Sequence, residues 1–130
     1  METIRTRLAA ARLAFLDTRS KIISYEEACQ RVQGRPVRWI AGDFDPLLAQ
    51  HVRELRNHVT PGRLLIVEVS NPSSPLLAQR ARAELVAALA MVDFVVLQDR
   101  ESPAQPIHDS ALTQQFIDHV IARHRGAAPK

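Results

Sequence analysis

The sequence predicts an α/β fold of three layers, in which a short parallel sheet carries helices on both faces and an extra helix is added at the N-terminus. Three observations carry that expectation. "RLLIVEV" at 63–69 is almost unbroken apolar sequence, the pattern of a parallel strand covered on both sides. Strand-like and helix-like stretches alternate between residues 35 and 99. The connections between successive strands are of crossover length, which in one sheet implies right-handed parallel units.

Taken in order, residues 2–17 place Ile4, Leu8, Ala11 and Phe15 at helical spacing among arginines, giving an amphipathic helix. In "SYEEACQRVQG", Ser24 is placed to cap a second short helix, Glu27 stands three residues on as in a capping box, and Gly34 marks its end. "PVRWIAG" reads as a strand over 37–41 that stops at Gly42. Asp45 and Pro46 then read as the N-cap and first position of a helix over about 46–59, with Leu47, Leu48, His51, Val52 and Leu55 on one side. "TPG" at 60–62 ends it, 63–69 is the second strand, and "SNPSSP" is a loop. A helix over about 76–91 rich in Ala and Leu leads to a third strand, "DFVVLQ". "DRESPAQPIHD" at 99–109 reads as loop, and 110–125 as a closing helix with Leu112, Phe116, Ile117, Val120 and Ile121 turned inward. "GAAPK" is expected to fray. The chain thus forms one domain over 1–130, with N-terminal helices to residue 34, a βαβαβ core over 35–99 and a C-terminal helix.

Composition narrows the partners. With 46% hydrophobic and 24% charged residues, the chain has what it needs for a folded core. Its net charge of +3 comes from 17 basic and 14 acidic residues, scattered without a basic run, and aromatics are only 5%, so no nucleic-acid footprint is expected. No apolar run approaches the roughly 18 residues that span a bilayer, so no membrane partner is expected either. "LAAARLAFL" is broken by Arg12, which argues against a signal peptide. The single cysteine, Cys29, excludes an intrachain disulfide, fits a reducing cytoplasm and reads as a small core residue. His119 and His124 are five apart on a helix, where two ligands on one face need three or four, and with His108 they make no metal site.

Function is concentrated in "GDFDPLLAQH" at 42–51, beyond the carboxyl end of the first strand, where open parallel sheets bind their ligands. Gly42 lets the backbone turn, Phe44 anchors the loop, Asp45 caps the helix, and His51 lies inside it. This stretch resembles the "G-x-F-D-x-x-H/T-x-G-H" signature of the cytidylyltransferase-like nucleotidyltransferases. "KIISYEEA", "GRLLIVEVSN" and "RAELVAALAMVDFVVL" extend the resemblance, which covers about residues 20–99 and is closest to the adenylyltransferase domain that makes ADP-heptose and to glycerol-phosphate cytidylyltransferase. It implies a Rossmann-like nucleotidyltransferase fold. The implied reaction is attack of a substrate phosphate on the α-phosphorus of ATP or CTP, with magnesium present when nucleotide is bound and pyrophosphate as leaving group. Matched residue by residue, it assigns nucleotide binding to Gly42, Phe44, Asp45, His51, Arg82 and Thr113, with His51 as the candidate catalytic group; Asp93 matches an acid opening the third strand.

Each of these residues also has a plain structural reading. His51 can bond a backbone group, Asp45 can simply cap, and Arg82 can lie on a solvated face. The departures from the family pattern are specific. Leu48 stands for the first histidine or threonine and donates no hydrogen bond. Gln50 stands for a glycine, and its side chain is expected to intrude on the nucleotide. The loop after the second strand has no lysine, and of a final "S-T-T" turn only Thr113 remains. The expectation is a degenerate nucleotidyltransferase that binds nucleotide at most. The alternative is a non-catalytic interaction module. In the family the sheet runs 3-2-1-4-5, so loss of the last two strands leaves 37–41 as an apolar edge, which either the N-terminal helix and the 98–109 loop cover or a second chain does, in a homodimer.

Overall fold

The sheet is built on its most apolar strand. In a computed structural model describing residues 17–102, 104–107 and 109–126, β1 (Val37–Gly42), β2 (Leu64–Val69), β3 (Phe94–Leu97) and β4 (Gln105–Pro106) form one parallel sheet in the order β3-β2-β1-β4. Side chains alternate across it with period two. Leu65, Val67 and Val69 enter a core with Ile40, Phe44, Leu55, Val86 and Val95, while Ile66 packs on the opposite face with Ala28 and Val96. That two-sided burial is what the unbroken apolar run requires.

The helices supply the outer layers. α1 (Tyr25–Arg31) covers the second face through Ala28; α2 (Ala49–Asn57) and α3 (Gln79–Ala87) bring Leu55, Ala83 and Val86 to the first. Ser24 caps α1 as expected, its Oγ accepting from the Glu27 amide at 3.1 Å. Glu27 does not reach back to complete the box; its carboxylate binds Arg31 one turn on, at 2.8 Å. Asp17 caps a 3-10 turn over Thr18–Lys21, and the amphipathic helix expected over 2–17 otherwise falls outside the described residues, as does "GAAPK" after Gly126. Among the described residues no helix is long and apolar enough to cross a membrane.

Four expectations are corrected. Residues 105–106, expected as loop, form a strand, and through it the 98–109 stretch covers the edge of β1, one of the outcomes expected: β4 pairs Gln105 with Ile40 and Pro106 with Ala41, and the Ile107 amide donates to the Ala41 carbonyl at 2.8 Å. Proline suits this place because a strand with no further neighbour needs no second row of donors. Cys29 is exposed rather than in the core, since the seven-residue α1 buries only Ala28. α4 (Ser110–Gly126) buries none of its side chains; Leu112, Phe116 and Ile117 are half-buried and Val120 and Ile121 lie open at 47% and 43% exposure. A 17-residue helix is about 25 Å long and outruns a two-residue strand. Helix α2 begins at Ala49 with Leu48 as its N-cap, three residues beyond the cap expected at Asp45, for reasons that lie in the site itself.

Candidate functional site

The connection from β1 runs to β2 on one side and the connection from β3 crosses to β4 on the other, which opens a crevice at the carboxyl end of β1. There lies a cleft of ≈ 280 Å³ lined by Gly42, Asp43, Ser70, Gln98, Pro106 and Ile107, among others. Gly42 and Asp43, which line it, open the turn over 42–48.

Gly42 is where that turn is tightest. A Cβ placed on it would lie 2.9 Å from Phe44 Cε2, Phe44 Cζ and Ile107 Cγ1, although its φ is not in the left-handed region. The glycine therefore makes room for protein side chains. Phe44 takes a left-handed φ of 49°, which turns its ring into the core against the His51 imidazole, with centroids 5.4 Å apart. Asp45, buried, does not cap α2: its carboxylate accepts from the amides of Leu76 and Leu77 at 2.7 and 2.9 Å. The helix expected from residue 76 starts only at Gln79, after these two amides.

His51 performs the capping that Asp45 does not. Leu48 has no side-chain acceptor, so only one half of a capping box forms, in which His51 Nδ1 accepts from the Leu48 amide at 2.9 Å. An amide can only donate, so the proton of the neutral ring is on Nε2, and that N–H donates to Asp109 Oδ2 at 3.0 Å. Both ring nitrogens are engaged, in a side chain 1% exposed. Asp109 gathers two more donors, the Asp43 amide at 3.1 Å on Oδ1 and the Phe44 amide at 2.8 Å on Oδ2. Burial pushes the Asp109 carboxyl up, but the hydrogen bonds from His51, Phe44 and Asp43 outweigh it and hold the group below the ordinary carboxylate range.

Arg82 is not on a solvated face. It is fully buried, with Nε donating to the Leu77 carbonyl at 2.9 Å and Nη1 to the carbonyls of Asp43 and Ser70 at 2.7 and 2.9 Å. Its Nη2 has no partner among the described residues. Asp43 accepts a hydrogen bond from Ser70 Oγ at the cleft wall.

The turn thus gathers Gly42, Phe44, Asp45, His51 and Arg82. Thr113 joins them only through its amide, which donates to the Asp109 carbonyl at 3.2 Å, and its buried Oγ1 has no partner among the described residues. Leu48 is half-buried; Gln50 is exposed and does not line the cleft. Asp93 is at the other end of the sheet, accepting from the Leu65 amide at 2.8 Å. His119 and His124 are exposed on α4, and His108 lies outside the described residues. Sequence reasoning missed Asp43, Ser70 and above all Asp109. The only local sign of Asp109 was an acid just before a helix; its partners are 58 to 66 residues away.

No protein-family model matches the chain. Among curated proteins it is similar to the bifunctional protein HldE of Trichlorobacter lovleyi, 33% identical over 124 residues, covering 85% of this chain and 25% of that protein. HldE of Pelobacter propionicus is 30% identical over 135 residues, covering 93% of this chain and 26% of that protein. For HldE of Geobacter sulfurreducens the identity is 33% over 102 residues, covering 72% and 20%. The chain spans about a quarter of the length of these curated relatives.

Proposed function

Because this chain belongs to the cytidylyltransferase-like nucleotidyltransferase superfamily, with the adenylyltransferase domain of ADP-heptose synthase as its relative, we propose that it binds a nucleotide in the cleft between β1 and β4 and transfers it poorly or not at all. The observation that carries this reading is the double engagement of His51, whose Nδ1 holds the Leu48 amide and whose Nε2 holds Asp109. Nucleotidyl transfer needs donors aimed at the charge that develops around the reacting phosphorus. Loss of one such donor costs about 10²–10³ in rate. Here the leucine at 48 offers none and the histidine at 51 has none free.

Binding asks for less. Gly42, Asp43 and Ser70 line the cleft, Arg82 fixes the carbonyls that frame it, and ATP or CTP is the ligand class that the family relation favours. Magnesium enters with the nucleotide. Asp45 and Asp109 are committed to backbone amides, so Asp43 is the carboxylate on the cleft wall that remains to meet the ion, in keeping with a cation held by one carboxylate and the phosphates. The lone, exposed Cys29 suits a reducing cytoplasm.

Calorimetry with ATP and with CTP in magnesium, beside a pyrophosphate-release assay, tests this. Expected are saturable heats at millimolar nucleotide and pyrophosphate release at background. Absence of heat removes the binding; steady pyrophosphate release removes the impairment. A second reading, a homodimer, is favoured by the exposure of Val120 and Ile121 on α4. Sedimentation equilibrium of the chain and of its Ile121→Glu variant decides it: a wild-type dimer that the variant splits supports the reading, and a wild-type monomer ends it.

A further inference from the structure

We propose that Asp109 is the resident occupant of an oxyanion site, so that the chain keeps its own phosphate-class pocket filled with a side-chain carboxylate. Three donors, the amides of Asp43 and Phe44 in the turn and the ring N–H of His51 in α2, converge on that carboxylate at 2.8 to 3.1 Å. Successive main-chain amides turned to one point form an anion-binding concavity, and the left-handed φ of Phe44 is the backbone feature that turns them. A phosphate presents the same pair of oxygens to such donors as a carboxylate does. Beside the turn, the buried Nη2 of Arg82 is an unused donor among the described residues, and its sister Nη1 is 2.7 Å from the Asp43 carbonyl.

Asp109 stands just before α4, where its carbonyl accepts from the amides of Leu112 and Thr113 at 3.0 and 3.2 Å, and that backbone role leaves the carboxylate free to turn toward the site. It is no cap of α2, and it reaches the turn from 66 residues away along the chain. The arm that carries it is held to β1 by a two-residue strand and the Ile107 amide. A short tie of this kind lets the arm act as a displaceable plug, and an incoming phosphate group competes with the carboxylate for the same three hydrogens. Access to the site is thereby regulated from within the chain. The inference rests on the nucleotide-binding reading for its physiological ligand, but not for its test.

The test uses the full chain as wild type, Asp109→Ala and Asp109→Asn, with inorganic phosphate as probe and acetate as the comparison. Backbone resonances of Asp43 and Phe44 and the thermal midpoint are followed. In the variants, phosphate is expected to shift both resonances saturably and to raise the midpoint by mass action, or to restore folding where a variant is unfolded without it; wild type, in which the carboxylate competes, responds only at higher phosphate. The proposal is overturned if neither variant responds to phosphate, whether folded or not, if acetate acts and phosphate does not, or if wild type responds equally. Nucleotide titration of wild type reports on the functional reading separately: it can fail while phosphate still fills the Asp109→Ala site, and it can succeed while phosphate leaves that site untouched.

Discussion

Gly42→Ala separates two reasons for a glycine at the end of β1. If the residue is small so that a nucleotide can lie against the backbone, alanine leaves the fold intact and weakens ligand binding. If it is small because Phe44 and Ile107 occupy the space, alanine destabilises the apo protein. The geometry favours the second: the new Cβ meets three carbons at 2.9 Å, two of them in a fully buried ring. Overpacking of this kind costs about 1–3 kcal/mol, and the stiffening of the unfolded chain returns about 0.4–1 kcal/mol because the φ of Gly42 suits alanine. The expected net loss is roughly 1–2 kcal/mol, which for a chain of this size lowers the thermal midpoint by about 3–10 °C. Differential scanning calorimetry without nucleotide measures it. Adding Phe44→Leu, which removes the ring carbons in the way, should make the double variant more stable than the sum of the single effects. A Gly42→Ala protein with wild-type stability, or a double variant with strictly additive losses, refutes the packing argument.

Arg82→Lys should destabilise by about 2–4 kcal/mol in urea unfolding, because one ammonium cannot reproduce a planar fork serving three carbonyls. For Asp109, whose folded carboxyl lies below its unfolded value, the stabilisation is complete above the ordinary carboxylate range and disappears as pH falls through the lower folded value. Thermal midpoints recorded downward from neutral pH should fall over that window in wild type, and the Asp109→Asn profile should lack this component. Asp45→Ala frees the amides of Leu76 and Leu77; their hydrogen exchange should accelerate, and stability should drop by about 1–2 kcal/mol.

What the sequence made legible was what local pattern determines. The apolar run of β2, the Ser24 cap and the order of elements through β3 follow from periodicities and cap chemistry that need no distant partner. The misreadings around β1 and the site involve groups claimed from afar. Asp45–Pro46 has the composition of a helix start, yet amides some 30 residues later take the carboxylate and His51 inherits the cap. Gln105–Pro106 has neither the length nor the alternation of a strand, and only the open side of β1 makes it one. Within the site, Gly42, Phe44 and His51 were visible as a cluster, whereas Asp109 was not, since a carboxylate in a polar loop carries no mark of the donors it will meet.

The guanidinium of Arg82 joins the chain just after β1, just after β2 and just before α3. Three rims that in most open sheets breathe separately are here pinned to a single rivet. Exchange of the amides around Asp43, Ser70 and Leu77 should therefore report one shared opening free energy, and a blow to any one rim should loosen all of them at once.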